Sequence, residues 1–289
     1  MNIQQIPQHE LARLREKAKE QAGSQFEYQE YYTKLLTRRL NGEPLQYIEE
    51  YIPFYSIQIN VDERCLIPRP ETEYLIEIIK NNIDSPKNIL DDGTGTGFIA
   101  LMLKKLYKES NVEAVDISEQ ALELAKENAR INDLEVTFTV SNLLENVEKN
   151  NYDIVVANLP YIPTETLQNL DNEVINYEPI IALDGGPDGL IYINELIKQI
   201  EENEFKGGGE GFYGAVIMAG GEGVRLLPLT EKTPKPMIRV GGMPLIERQV
   251  KRIVKAGIAR IFISVNHLSH VIENFFGDGE KFGVPIQYL

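Results

Sequence analysis

From residue 86 onward the chain alternates short apolar runs with amphipathic stretches of helical period, and few folds are open to a chain patterned in this way. The apolar runs fall at 88–90, 112–115, 136–140 and 152–157, and helical stretches at 99–107 and 119–131 fill the intervals. Strands separated by helices cannot pair as hairpins, so the pattern predicts a parallel, doubly wound Rossmann-like α/β sheet. Ligands of such sheets bind beyond the carboxyl ends of the strands, and the chemically informative residues cluster there.

Upstream, Leu11, Leu14, Ala18, Tyr31, Leu35 and Leu36 recur at helical spacing between charged residues, which predicts a small helical unit. The pair Arg38 and Arg39 reads there as part of a solvated face. Over 54–68, alternation of Tyr55, Ile57, Ile59 and Val61 followed by Cys65, Leu66 and Ile67 predicts a β-hairpin turning near Asp62-Glu63. Cys65 reads as a small apolar strand residue. Pro70 suits a first helical turn, with Tyr74, Leu75, Ile78 and Ile79 as the apolar face behind it. The expected division is a helical domain with hairpin connector at 1–84 and an α/β core at 85–205. A glycine-rich joint at 206–213 and a second α/β segment at 214–289 follow. In the second segment, strands are expected at 214–219, 260–265 and 284–289, with helices at 245–256 and 271–276. The first of these strands could complete the preceding sheet or open a separate unit.

Forty-four acidic against 29 basic residues give a net charge of −15. That balance argues against direct, sequence-independent contact with nucleic acid, which needs clustered Lys and Arg. No run approaches a membrane span and no apolar signal core opens the chain, so a soluble, cytoplasmic protein is expected. One cysteine allows no internal disulfide and no multi-cysteine metal cluster, and no metal site is expected.

Asp91-Asp92-Gly93-Thr94-Gly95-Thr96-Gly97 joins the first core strand to the next helix, where glycines let a ligand approach backbone N–H groups. Asp116, at the end of the following strand, has the position to accept hydrogen bonds from both ribose hydroxyls of a nucleoside. A plain tight turn and a helix cap are the alternatives for these two features. Asn158-Leu159-Pro160-Tyr161 ends the fourth strand. The Asn158 side-chain oxygen and the Leu159 carbonyl can each take one hydrogen of a target amide, and Tyr161 can wall a flat group or be an ordinary loop aromatic. His9, His267 and His270 lie outside all of these motifs.

Over about residues 10–200 the chain resembles the release-factor glutamine N5-methyltransferases, within the Rossmann-like S-adenosylmethionine-dependent methyltransferases. The resemblance rests on Arg39 with Gly42-Glu43-Pro44-Leu45-Gln46-Tyr47, on Leu66-Ile67-Pro68-Arg69-Pro70-Glu71-Thr72-Glu73, and on the Gly93 to Gly97 loop. Val115-Asp116-Ile117-Ser118, Asn158 to Tyr161, Glu178-Pro179, Ala182-Leu183 and Gly185-Gly186 complete it. It implies a helical domain that grips a peptide-chain release factor and a core that methylates the glutamine of that factor's Gly-Gly-Gln loop. Asp91, Gly93, Thr94, Gly95, Gly97, Asp116 and Asn142 would then hold S-adenosylmethionine. Asn158, Leu159, Pro160 and Tyr161 would hold the substrate, with Asn158 and Tyr161 catalytic. Three positions depart from the family pattern: Asp92 where an apolar residue is usual, Asn142 where an acidic one is, and Leu159 where proline is. They predict weakened cofactor binding or turnover. The resemblance stops near Phe205.

A second glycine loop, Ala219-Gly220-Gly221-Glu222-Gly223-Val224-Arg225, with Thr233-Pro234-Lys235-Pro236 behind it, combines bare N–H groups, an arginine fork and a lysine charge. Gly220, Gly221, Gly223, Arg225 and Lys235 form a candidate phosphate site; solvated charges on a glycine loop are the alternative. The segment resembles the N-terminal third of sugar-nucleotide pyrophosphorylases, which implies binding of a nucleoside triphosphate. It stops short of their magnesium-holding aspartate, so nucleotidyl transfer is not expected. Two partial signatures joined in one chain read as a chimera, and a nucleotide-binding protein or scaffold without methyl transfer is the alternative function.

Overall fold

The computed structural model describes residues 6–70, 72–148, 152–202, 214–218, 231–240, 242–255, 260–265 and 268–288. In chain order the first elements are α1 (Gln8–Gln21), α2 (Gln25–Leu40), α3 (Leu45–Glu49), β1 (Tyr51–Phe54), β2 (Ile57–Asn60) and α4 (Thr72–Asn82). Next come β3 (Asn88–Asp92), α5 (Phe98–Leu106), β4 (Asn111–Asp116), α6 (Glu119–Ile131), β5 (Thr137–Val140), β6 (Ile154–Ala157), α7 (Asn172–Tyr177) and α8 (Ile191–Glu202). The last are β7 (Gly214–Met218), β8 (Arg239–Val240), β9 (Met243–Pro244), α9 (Leu245–Lys255), β10 (Arg260–Ser264), α10 (Ser269–Phe276) and β11 (Ile286–Tyr288). Two compact units form: residues 1–68 with 85–205, and residues 69–84 with 206–289. No described helix is long and apolar enough to cross a membrane.

The first unit opens with a helical cluster. Leu11, Leu14 and Ala18 are the buried residues of α1, and Leu14 and Ala18 cluster with Leu35, Leu45 and Ile48. A capping box starts α2: Ser24 Oγ accepts from Glu27 N, and Glu27 returns a carboxylate to Gly23 N. Arg39 is not on a solvated face, as the charge pattern suggested, but 7% exposed. It pairs with Glu10 of α1 at 2.6 Å and Glu173 of α7 at 2.5 Å. Its neighbour Arg38 pairs with Glu43 at 2.6 Å. Three elements distant in sequence thus meet at one guanidinium.

The hairpin is also displaced from its expected place. Its turn lies at Tyr55-Ser56, with Tyr55 at φ 44°, and β1 pairs antiparallel with β2 from Tyr51↔Asn60 to Phe54↔Ile57. Of the alternating 55–61 run, Ile57–Asn60 is strand, and its partner β1 precedes it instead of following at 65–67. Asp62, the expected turn, instead accepts from Arg64 N at 3.0 Å. Cys65 is buried beside Ala121 and Leu124, but in a bend outside any strand.

The core sheet has the order β5-β4-β3-β6, all parallel. One face of β3 carries Ile89 and Asp91 and the other Leu90 and Asp92, because side chains alternate along a strand. Leu90 belongs to a cluster with Val115, Leu143, Leu144, Leu159 and Leu196 of α8.

In the second unit, β11-β10-β7 form a parallel three-stranded sheet. Val250, Ile261, Ile263, Ile272, Phe276 and Ile286 are among its buried core. Continuation of the first sheet by β7, one of the two arrangements the sequence left open, does not occur: β7 pairs with β10, and β6 pairs with β3. The glycine-rich joint lies outside the described residues.

Replacing Arg39 by alanine strands two carboxylates against a buried helix end. A loss of about 2 kcal/mol is expected, read as a lower urea midpoint for the first unit. An unchanged midpoint would contradict the bridging role.

Candidate functional site

The turn after β3 is a backbone construction. Gly93, Gly95 and Gly97 adopt φ of 71°, 55° and 81°, the left-handed region that side chains resist. Gly93 N and Thr94 N both donate to Val115 O of β4, at 2.9 and 3.0 Å. Gly95 N donates to Asp116 Oδ2 at 2.9 Å, and Ser118 N to Asp116 Oδ1 at 2.9 Å. A Cβ at Gly95 would stand in open space, whereas one at Gly97 would lie 3.1 Å from Ala125 Cβ of α6. Gly97 therefore serves helix packing, and Gly95 holds backbone bare where a ligand can approach.

Asp116 Oδ2 accepts from Gly95 N and Oδ1 from Ser118 N, the Ile117 N–H is a third backbone donor, and the remaining lone-pair capacity of the carboxylate is open to a hydroxyl. Burial raises its carboxyl above the usual range, against the lowering by those N–H groups. Ser118 is the N-cap of α6, its hydroxyl accepting from Ala121 N at 3.2 Å. Capping of α6 is thus carried by Ser118 and not by Asp116.

Asp91 is fully buried and turned to α5: Oδ2 accepts from Thr94 Oγ1 at 2.6 Å and Ala100 N at 3.1 Å, while Oδ1 has no partner. Asp92 points to the opposite, apolar face with Oδ2 unpartnered. Burial pushes both carboxyls up to about 7, and the negative neighbours Asp91 and Asp116 add to it for Asp92. Asn142 sits one residue after Ser141, whose N–H binds Asp116 O at 3.0 Å, but its side chain is turned to Glu145 at 2.8 Å.

Beyond β6, Asn158 is exposed, Leu159 is 8% exposed and Tyr161 is 57% exposed. Leu159 reaches into the apolar cluster and over Gly93, whose Cβ position lies 3.0 Å from Leu159 Cδ2. Residues 160–164 are clamped from behind. Ile162 N binds Leu183 O at 3.1 Å, Gly185 N binds Ile162 O at 2.8 Å, and Thr164 N binds Gly186 O at 2.9 Å. A Cβ at Gly185 would lie 2.7 Å from Pro160 O, and one at Gly189, at φ 77°, would run into the Tyr161 carbonyl.

Two positioning residues escape a reading of motifs. Asn128, fully buried in α6, accepts from Asn60 N at 2.8 Å and donates to Thr96 O at 2.9 Å, tying the hairpin to the glycine turn. Asp184 accepts from Thr164 Oγ1 at 2.6 Å and Gly186 N at 2.9 Å. An asparagine on a helix or an aspartate in a loop carries no spacing signal for such work. Of the second candidate site, Gly220, Gly221, Gly223 and Arg225 lie outside the described residues, and Lys235 opens a short 3-10 turn, 235–237. A groove of about 930 Å³ lies at the opposite ends of the strands, against Asn88, Asn111 and Thr137. Strand direction rather than groove volume locates the site.

A glycine turn, an acidic residue ending the next strand and an Asn-x-x-Tyr loop meet at one edge of a Rossmann-like sheet, and the methyltransferase small domain family matches residues 70–177. A release factor glutamine methyltransferase from Lactococcus lactis is 45% identical over 172 residues, 57% of this chain and 63% of that protein. One from Flavobacterium psychrophilum is 37% identical over 191 residues, 64% of this chain and 67% of that protein. Through this part the chain belongs to the release factor glutamine methyltransferase family. It spans 53 to 64% of the length of five such relatives. Residues 214–289 match the nucleotidyl transferase family. They are similar to CTP:phosphocholine cytidylyltransferase of Streptococcus pneumoniae, at 38% identity over 27% of this chain and 33% of that one, with a TM-score of 0.24.

Two outcomes follow from the geometry. Gly189→Ala should cost about 2 kcal/mol or more and displace the Tyr161 loop, seen as a lower melting temperature and altered tyrosine fluorescence. The raised carboxyls mean that the folded state holds protons which the unfolded chain releases near pH 4. Their contribution to stability is full below that pH and is lost as pH rises through about 7. Asp92→Leu should therefore raise the melting temperature more at pH 8 than at pH 5, and an equal gain at both would contradict the assignment.

Proposed function

We propose that this chain uses S-adenosylmethionine to methylate the N5 of a glutamine side chain in a peptide-chain release factor. The observation that carries this reading is the clamped loop 158–161, with Asn158 and Tyr161 exposed beside the turn at 93–97. The bare Gly95 backbone and the spare acceptor capacity of Asp116 suit a nucleoside cofactor. When bound, that cofactor supplies an electrophilic methyl group.

The protein's own part is placement. Asp116 receives the ribose hydroxyls, while Gly93, Thr94, Gly95 and Gly97 shape the turn, and Asp91 holds it through Thr94 and Ala100. Asn158 Oδ1 accepts one amide hydrogen and the Leu159 carbonyl the other, which fixes the amide plane and leaves the nitrogen lone pair facing the cofactor side. Pro160 stiffens the loop, and Tyr161 covers the flat amide and excludes water. Little acid–base chemistry is needed: one amide proton passes to solvent as the methyl–nitrogen bond forms and the methyl–sulfur bond breaks, and the nucleophile needs orientation and desolvation above all. The Asn142 side chain turned toward Glu145 and leucine in place of proline at 159 together lower turnover relative to the family pattern.

Residues 1–84 and 85–205 act in this reading as partner-gripping helical domain and catalytic core, in the cytoplasm. A joint at 206–213 leads to the segment 214–289 of a chimera. The family match of that segment favours a second reading for it alone: a nucleoside triphosphate site built from Gly220, Gly221, Gly223, Arg225 and Lys235, without nucleotidyl transfer.

Labelled methyl should pass from S-adenosylmethionine to a release factor, and not to one whose Gly-Gly-Gln glutamine is substituted. Asn158→Ala should lower that transfer about a hundred-fold with the circular dichroism spectrum unchanged. No label on the intact factor rejects the methyltransferase reading.

A further inference from the structure

The last residue of β3 is an oddity in its surroundings. Asp92 is 2% exposed, pairs across β3 with Val115 and Ala157, and lies on the face that Leu90 shares with Leu143, Leu144, Leu159 and Leu196. An apolar residue is what such a face asks for. One carboxylate oxygen has no partner, and the other interaction that favours the charge is the Gly93 N–H. A buried carboxylate so poorly supplied is unfavourable in the folded chain, and an incoming positive charge offsets that cost.

Among the described residues, the ionisable groups around it do not supply that charge. β3 itself adds Asp91 and β4 adds Asp116, both negative, and burial together with these two neighbours raises the Asp92 carboxyl. β6 (Ile154–Ala157) has no ionisable residue, and α8 turns Tyr192, Ile193, Leu196 and Ile200 to the same cluster. The three carboxylates therefore impose a negative potential on the end of β3, through a low-dielectric wall and next to the turn at 93–97.

Resting on the cofactor reading above, we propose that Asp92 is a selectivity residue of that site. It makes the site favour a nucleoside ligand bearing a positive sulfur centre over the neutral thioether left when the methyl group departs. The two ligands share adenine, ribose and amino-acid groups, so their difference in affinity isolates the sulfonium charge. A potential of this kind strengthens the charged ligand, leaves the neutral one nearly untouched, and hastens exchange of spent cofactor for fresh.

The test is calorimetric binding of S-adenosylmethionine and S-adenosylhomocysteine to the full chain at pH 8, wild type against Asp92→Leu and Asp92→Asn. The leucine restores the apolar shape, and the asparagine keeps size and polarity without charge. Both should reduce the preference for S-adenosylmethionine about ten-fold, with S-adenosylhomocysteine affinity held within about two-fold. Sinefungin, with an ammonium group in place of the sulfonium, should follow S-adenosylmethionine. An unchanged ratio in both variants, or equal weakening of all three ligands, overturns the selectivity role alone. Failure of the wild-type chain to bind either nucleoside overturns the cofactor reading and this proposal together.

Discussion

Everything at the carboxyl edge of the first sheet depends on one backbone turn, residues 93–97, being held open without side chains of its own. Three glycines at positive φ let the chain leave β3 and enter α5 inside five residues. The turn is then pinned from three directions: by Val115 O and Asp116 of β4, by Asp91 from below, and by Asn128 through Thr96 O. Apart from Thr94 Oγ1 to Asp91, the pins are hydrogen bonds to the backbone of the turn, so it keeps its shape while one edge remains bare. Such a surface is prepared before a ligand arrives, and little ordering cost remains to be met on binding.

The second wall of the site is made differently. Loop 158–161 is positioned by what stands behind it, the stretch 183–189, where glycines admit the Pro160 and Tyr161 backbone. Leu159 faces inward to the apolar cluster and Tyr161 outward. Leu159 anchors the loop through that cluster while Asn158 and Tyr161 on either side of it stay exposed, and a buried leucine restrains the backbone that carries it.

How much of this was legible in the sequence follows from the range of the interactions involved. The strands β3 to β6 and helix α6 were found within a residue or two, since parallel strands buried on both faces write continuous apolar runs. The glycine turn was legible because positive φ selects residue type locally. Arg39 was misread for the opposite reason: its partners Glu10 and Glu173 are remote, and charge on a helix does not announce distant company. The hairpin was misplaced because alternation identifies a strand but not the strand it pairs with. Asn128, Asp184 and Gly189 work through tertiary contacts that no local period encodes.

Asp92 joins these themes, because it obeys neither the local rule nor the packing around it. Local consistency asks for an apolar residue on the face that Leu90 and Leu159 share, and packing alone would remove the charge. Natural sequences tend to break such rules at sites of function, and here the break falls one residue before the turn on which the site depends. A misplaced charge in the distal core would only destabilise. At this position the same unfavourable burial is coupled to the ligand, so that part of the folding cost reappears as dependence of affinity on ligand charge. Stability without cofactor and discrimination between cofactor and product are then opposite readouts of one carboxylate.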